Sequence, residues 1–308
     1  MAAIANYFFP VNPVTERREL HLIPTELEVF VGEKSYAPLI QKSGGEVEKN
    51  HPKYREYSRL VQEVGAELAQ HAKRPGLDFK FTLIDSDVDN AWCLPGGKIG
   101  INVGLIKKME KEDIPGTTNL TLKEKIAAVL SHEIVHADAR HTGRALEFRF
   151  LLIGIIKAAQ IYLVFWVTQS YVDQITKARR ANDRPLIIEL TKARDNQAKR
   201  VGALFETLSS WLIEGLSLCN SRSHELESDR FGMRLIHDVA KAGTNGYGTE
   251  SPKAAIWLQH FFAKHHSHRT KNKYIDAMMN LLSTHPSPEE RLEANKKTWE
   301  DLQQGRLK

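Results

Sequence analysis

Apolar residues recur at helical spacing along residues 54–72, where Tyr54, Leu60, Val61, Val64 and Leu68 would share one face. Residues 26–42 are also predicted helical. The period then changes. Pro75-Gly76 breaks the helical pattern, and Phe79-Lys80-Phe81-Thr82-Leu83-Ile84 alternates as a strand does. An aspartate-rich turn (Asp85, Asp87, Asp89) leads into Asn90–Ile101, predicted as strand, tight turn, strand. Gly96-Gly97 supplies the turn, because glycine tolerates backbone conformations that other residues resist. This is the one convincing β region.

Thr121-Leu122-Lys123-Glu124 has the form of a capping box, with Thr as N-cap and Glu three residues on. It opens a helix carrying Ile126, Val129, Leu130 and Val135. Residues 203–240 are predicted helical, Pro252–Phe262 begins a further helix, and His285-Pro286-Ser287-Pro288 punctuates the chain before a polar C-terminal helix. Residues 1–25 hold three prolines and no clear period, so they are expected to run extended over the surface. The elements add up to a mostly α-helical α+β fold in a single domain over 1–308. Residues 148–202 form an apolar helix plus a basic insertion within it.

Phe150–Val167 is apolar over about the length that crosses a bilayer, with Lys157 and Gln160 near its middle. A charge at mid-bilayer is costly. The preferred expectation is a helix buried in the protein core with Lys157 snorkelling to water; a membrane span is the alternative. Residues 174–200 carry eight Lys/Arg against three Asp/Glu and are predicted as a solvated helix or hairpin broken near Pro185.

Composition adds little to this picture. The chain has 308 residues, 42% of them hydrophobic, and a net charge of +5. That balance is only mildly basic and does not indicate a nucleic-acid partner. Cys93 and Cys219 form no CxxC pair and no disulfide framework, which fits a reducing compartment. The first residues lack a basic segment followed by an apolar one, so no secretory signal is expected, and the location expected is cytoplasmic or membrane-associated.

The chemistry concentrates in His132-Glu133-Ile134-Val135-His136. Residues four apart share a helix face, so both imidazoles can address one ion. Glu133 can reach a water there without being a ligand, as a metalloprotease base must. A catalytic zinc commonly takes three protein ligands. His141 is one residue out of the metzincin register, and no Glu occurs in the apolar run. The first acidic helix motif downstream is Ser223-His224-Glu225-Leu226-Glu227-Ser228-Asp229. Glu225 and Asp229 share a face; one can bind metal while the other holds a ligand histidine. Glu227, on another face, is expected to be solvent-exposed or structural.

With these motifs the sequence resembles the zinc metallopeptidase family of the CAAX prenyl endopeptidase, HtpX and the mitochondrial Oma-type protease. That family pairs HExxH with a distant ExxAD; here Ser228 stands in the place of the Ala. Asn90-Ala91-Trp92-Cys93-Leu94-Pro95-Gly96-Gly97 resembles its NAFxxPGG strand and turn. Thr284-His285-Pro286 with Glu290-Arg291-Leu292 resembles its HPxxxxRI element. Asn12-Pro13-Val14-Thr15 resembles the periplasmic and mitochondrial branch.

The resemblance implies a zincin fold of gluzincin type with a small sheet beside the HExxH helix, and a single zinc ion held by His132, His136 and Glu225. It implies Asp229 as the support of a ligand histidine and Glu133 as the base. It places Asn90, Ala91, Trp92, Pro95, Gly96 and Gly97 beside a polypeptide substrate bound as an extended strand. It suggests His285 or Arg291 as oxyanion stabiliser, against structural roles as a helix cap and an ion pair. It points to protein quality control as a setting. Two other functions are weighed: a SprT-like DNA-associated protease, which would need a nearby histidine as third ligand, and a catalytically silent zinc scaffold, which would not need Glu133. His260, His265, His266 and His268 are read as an exposed helix end rather than a second metal site.

Overall fold

Thr121 caps a helix over Leu122–Asp138, its hydroxyl accepting from the Glu124 amide while the Glu124 carboxylate accepts from the Thr121 amide. This helix is the centre of the structure. In the computed structural model the described residues are 7–48, 51–74, 76–114, 120–243, 246–266 and 287–307, the side chains of 207–221 and His266 aside. In chain order the helices are α1 (Thr25–Lys42), α2 (Arg55–Ala69), α3 (Val103–Lys111), α4 (Leu122–Asp138), α5 (His141–Arg180), α6 (Arg184–Lys241), α7 (Ala254–His266) and α8 (Pro288–Gln303). The strands are β1 (Lys80–Ile84), β2 (Ala91–Leu94) and β3 (Lys98–Asn102).

The strands form one sheet in the order β1-β3-β2. β1 runs parallel to β3, with Phe81 opposite Ile99, and β2 runs antiparallel to it, with Trp92 opposite Gly100. Helices and sheet meet in one core. Val61, Val64 and Leu68 of α2, Ile126, Leu130 and Ile134 of α4, Ile236 and Val239 of α6, and Trp257 and Phe261 of α7 are all buried there with Ile99 and Ile101 of β3. Each such aliphatic side chain contributes about 1.5–3 kcal/mol on burial. The helical spacing of 126, 130 and 134 is what turns one face of α4 into this core.

The chain divides into two compact units, 1–145 with 220–308, and 146–219. The first holds the core and all three strands. The second is a helical hairpin made of the remaining lengths of α5 and α6. Its tip is Ala181-Asn182-Asp183, with Asn182 at φ 57° and Asp183 Oδ1 accepting from the Leu186 amide at 3.1 Å. Asp183 thereby caps α6 at the break expected near Pro185.

The expectation of a buried core helix over 150–167 is corrected. Only Ile156 is buried in that stretch, while Phe150, Ile155, Ile161, Tyr162, Phe165 and Trp166 are 63–72% exposed. Lys157 meets Gln160 Oε1 of its own helix at 3.0 Å and Glu206 Oε1 of the other helix at 3.1 Å. Gln160 Nε2 donates to the Gly202 carbonyl at 3.4 Å. Apolar periodicity reports a side chain that avoids water; it does not say whether protein or something else covers it.

Candidate metal centre

His132 and His136 lie one turn apart on α4, and their Nε2 atoms are 3.1 Å from each other. Glu225 of α6 closes the triangle, its two oxygens each 3.4 Å from one of these nitrogens. The three donor atoms lie within 4.8 Å of one another. The other nitrogen of each ring has its own partner. His132 Nδ1 meets Asp229 Oδ1 at 3.0 Å, and His136 Nδ1 meets His141 Nδ1 at 3.0 Å. A carboxylate can only accept, so His132 carries a proton on Nδ1 and directs Nε2 inward. Two imidazole nitrogens and a carboxylate turned onto one point are a donor set that fits zinc.

Helix packing brings Glu225 and Asp229 there. Gly232 of α6 crosses α4 so closely that a Cβ on it would lie 3.2 Å from the His132 amide nitrogen and from Ser131 Oγ. One and two turns before this crossing, Asp229 and Glu225 reach across to the histidines.

Burial opposes charge on His132, but Asp229 and Glu225 outweigh it and raise its pKa to about 10. A cation bound between the three donors would displace the Nε2 proton of the charged ring and leave the one on Nδ1. Burial likewise opposes the charge of Asp229, and Arg291 and His132 hold its carboxyl below the usual carboxylate range. Arg291 forks onto Asp229, Nε to Oδ2 and Nη2 to Oδ1, both at 2.6 Å, and its Nη1 lies 3.4 Å from Glu225 Oε2. Gln259 Nε2 adds a donor to Asp229 Oδ1 at 3.2 Å.

A cavity of about 600 Å³ opens over these residues. It is lined by Glu133 and the three donor residues, by Asn90, Ala91 and Cys93, and by Val129, Leu258 and Phe262 among others. Alternation along β2 turns Ala91 and Cys93 to the cavity and puts the Trp92 ring over Gly100 on the opposite face. Burial, followed by the charge of Glu133, pushes the Cys93 thiol pKa well up.

The sequence-predicted residues are therefore partly gathered and partly not. His132, Glu133, His136, Glu225, Arg291, Asn90 and Ala91 line the cavity. Asp229 stands directly behind His132. Trp92, Pro95, Gly96 and Gly97 do not line it. The Pro95–Gly97 turn backs onto α1, where a Cβ on Gly32 would fall 1.7 Å from the Pro95 carbonyl oxygen and one on Gly96 3.0 Å from the Val29 Cα. Gly96 and Gly97 do take the positive φ, 79° and 80°, that the tight turn requires. His285 lies outside the described residues.

Glu227 is not exposed. It accepts from Arg144 Nη1 at 2.6 Å and pairs with His141 Nε2 at 3.2 Å. Burial works against its charge, but His141 and Arg144 bring its pKa down to about 2. His141, Arg144 and Gln259 are neighbours of the centre that sequence spacing does not identify. Their only signal is polarity beside buried helix positions, which does not name a partner. Of the histidine-rich stretch, His265 pairs with Glu112 at 3.0 Å rather than standing free.

The model of the family described as Peptidase family M48 matches residues 56–298. The chain is 26% identical over 148 residues to the beta-barrel assembly-enhancing protease of Escherichia coli (strain K12), covering 47% of this chain and 28% of that protein. It is 24% identical over 136 residues to the mitochondrial metalloendopeptidase OMA1 of Schizosaccharomyces pombe, covering 44% and 36%. A putative beta-barrel assembly-enhancing protease of Vibrio cholerae is 26% identical over 243 residues, covering 79% and 38%. The chain thus spans well under half the length of each of these relatives.

Proposed function

The chain belongs to peptidase family M48, and from that membership we propose that it is a zinc-dependent metalloendopeptidase acting on polypeptides. The observation that carries the proposal is the meeting of His132, His136 and Glu225 in one cavity with Glu133. A zinc ion held by His132, His136 and Glu225 would supply Lewis acidity, lowering the pKa of water and polarising a carbonyl. Glu133 accepts the proton of the attacking water and passes it to the leaving amine. Asp229 fixes the proton of His132 on Nδ1, and Arg291 holds Asp229 in place through Nε and Nη2 while also lining the cavity.

β2 is an edge strand among the described residues, lies against α4 and turns Ala91 and Cys93 to the cavity. A substrate paired along it would be held through its backbone whatever its sequence. His141 does not serve as a third ligand of the SprT kind, since it faces the outer nitrogen of His136. Protein quality control is the setting that the family resemblance points to. The test is a comparison of wild type with Glu133→Gln. Wild type should retain zinc through gel filtration and cleave unfolded casein, losing activity to a chelator and regaining it with zinc. Glu133→Gln should keep the zinc and lose cleavage by about 10²–10⁴-fold. Zinc-loaded wild type without cleavage would favour the silent scaffold; cleavage by Glu133→Gln would remove Glu133 as base.

A second proposal concerns residues 146–219: that this hairpin inserts into a bilayer. Its α5 arm is long and apolar enough to cross, and its apolar stretch is almost wholly exposed. Lys157 and Gln160 meet Glu206 and Gly202 of the other helix, while Phe150, Ile155, Ile161, Tyr162, Phe165 and Trp166 stand exposed. Pairing is what makes a mid-bilayer lysine tolerable. Residues before 146 and after 219 build one unit, so a chain that enters the membrane must also return. That parity favours two crossings over one. Carbonate-resistant sedimentation with membranes would support insertion; monodisperse protein without detergent would sink it.

A further inference from the structure

His141 is buried, and both of its ring nitrogens meet polar atoms. Nε2 lies 3.2 Å from Glu227 Oε2. Nδ1 lies 3.0 Å from His136 Nδ1 and 3.1 Å from Ser228 Oγ. Glu227 is an acceptor anchored by Arg144 Nη1 at 2.6 Å, and Arg144 Nε is in turn 3.2 Å from Glu19 Oε2. Glu19 accepts from Asn12 Nδ2 at 2.8 Å and Thr15 Oγ1 at 2.9 Å, and Asn12 also donates to the Ala139 carbonyl at 3.0 Å. The Asn12–Thr15 motif is therefore the outer end of a polar chain that finishes on His136.

The order of donors along that chain can be worked out from its ends. A carboxylate cannot donate, so the His141 nitrogen facing Glu227 carries a proton. A neutral His141 protonated on Nε2 presents a bare Nδ1. That atom accepts from His136 Nδ1–H, with the Ser228 hydroxyl as a second donor. His136 protonated on Nδ1 leaves its Nε2 lone pair free, on the side of His132 and Glu225.

We infer that His141, held by Glu227 and Arg144, is a positioning residue that sets the tautomer and ring orientation of His136 for metal binding, as Asp229 does for His132. The inference rests on the zinc reading above and concerns residues outside the three proposed ligands and Glu133. It also gives Ser228 a place: its hydroxyl reaches the same nitrogen, whereas the Ala common at this position in the family could not.

The experiment measures zinc affinity by chelator competition, with the histidine tautomers read by nitrogen-15 NMR on histidine-labelled full-length protein. His141→Ala should weaken zinc binding by about 10–100-fold, the range for loss of a partner behind a metal ligand. His141→Asn, whose amide oxygen can stand in for Nδ1, should recover most of it. Wild-type His141 should be protonated on Nε2 and bare on Nδ1; this reading needs no variant and decides the matter if His141→Ala fails to fold. Unchanged affinity in folded His141→Ala, or a proton on His141 Nδ1 in zinc-loaded wild type, overturns the inference while the zinc reading stands. A wild type that takes up no zinc overturns both.

Discussion

His132 Nδ1 lies 3.0 Å from Asp229 Oδ1, across 97 residues of chain. The contact joins the helix of the HExxH motif to the acidic helix, and Arg291 ties the C-terminal helix to the same carboxylate. Asp229→Ala should lower zinc affinity by about 10–100-fold. It should also destabilise the fold by about 3–5 kcal/mol, because it leaves the buried Arg291 without its main partner. Zinc titration and denaturant unfolding read the two effects separately. Full zinc affinity in Asp229→Ala would remove the support role.

The crossing at Gly232 sets how near α6 comes to α4. Gly232→Ala should be almost neutral in stability, since a methyl group at 3.2 Å needs only a small adjustment and alanine favours the helix by about 1 kcal/mol. Gly232→Val should cost about 1–3 kcal/mol through overpacking and weaken zinc retention as Glu225 is moved away. Thermal unfolding with zinc quantification checks both, and a valine variant with wild-type zinc content would show that the helices tolerate separation.

Glu28 of α1 is 4% exposed and pairs with two buried arginines, Arg74 at 2.7 Å and Arg140 at 2.5 Å. Arg140 sits between α4 and α5 at φ 59°, a left-handed conformation uncommon for arginine. Glu28→Ala should destabilise the protein by about 3–5 kcal/mol, because both guanidinium groups lose a buried counterion. Denaturant unfolding measures it; a loss below about 1 kcal/mol would mean that these groups are effectively solvated.

Cys93 lines the cavity in surroundings that disfavour its thiolate. Burial and the charge of Glu133 hold its thiol pKa well above the ordinary value, so the reactive thiolate is scarce at neutral pH. In a Cys219→Ser background, iodoacetamide at pH 7.5 should leave Cys93 unmodified by peptide mapping and leave casein cleavage intact. Reaction should emerge only as the pH is raised, since a raised pKa moves deprotonation upward. Rapid inactivation at pH 7.5 would contradict this.

The sequence by itself determined the α4 helix, its Thr121 cap, the strand-turn-strand over Asn90–Ile101 and the pairing of His132 with His136 and of Glu225 with Asp229. All of these are written in local spacing: a period of about four for helix faces and two for strands, with turn residues at the breaks. What lies beyond a segment's own periodicity was decided only by the tertiary structure. Trp92 turns away from the cavity and the Gly96-Gly97 turn backs onto α1, because a strand has two faces and local pattern does not say which meets the cleft. Glu227 is partly buried and paired with His141 and Arg144, and Arg291 forks onto Asp229, because the partners of a charge come from distant parts of the chain. The apolar run 150–167 is exposed in its own hairpin rather than packed in the core, because hydrophobicity specifies avoidance of water and leaves the covering medium open.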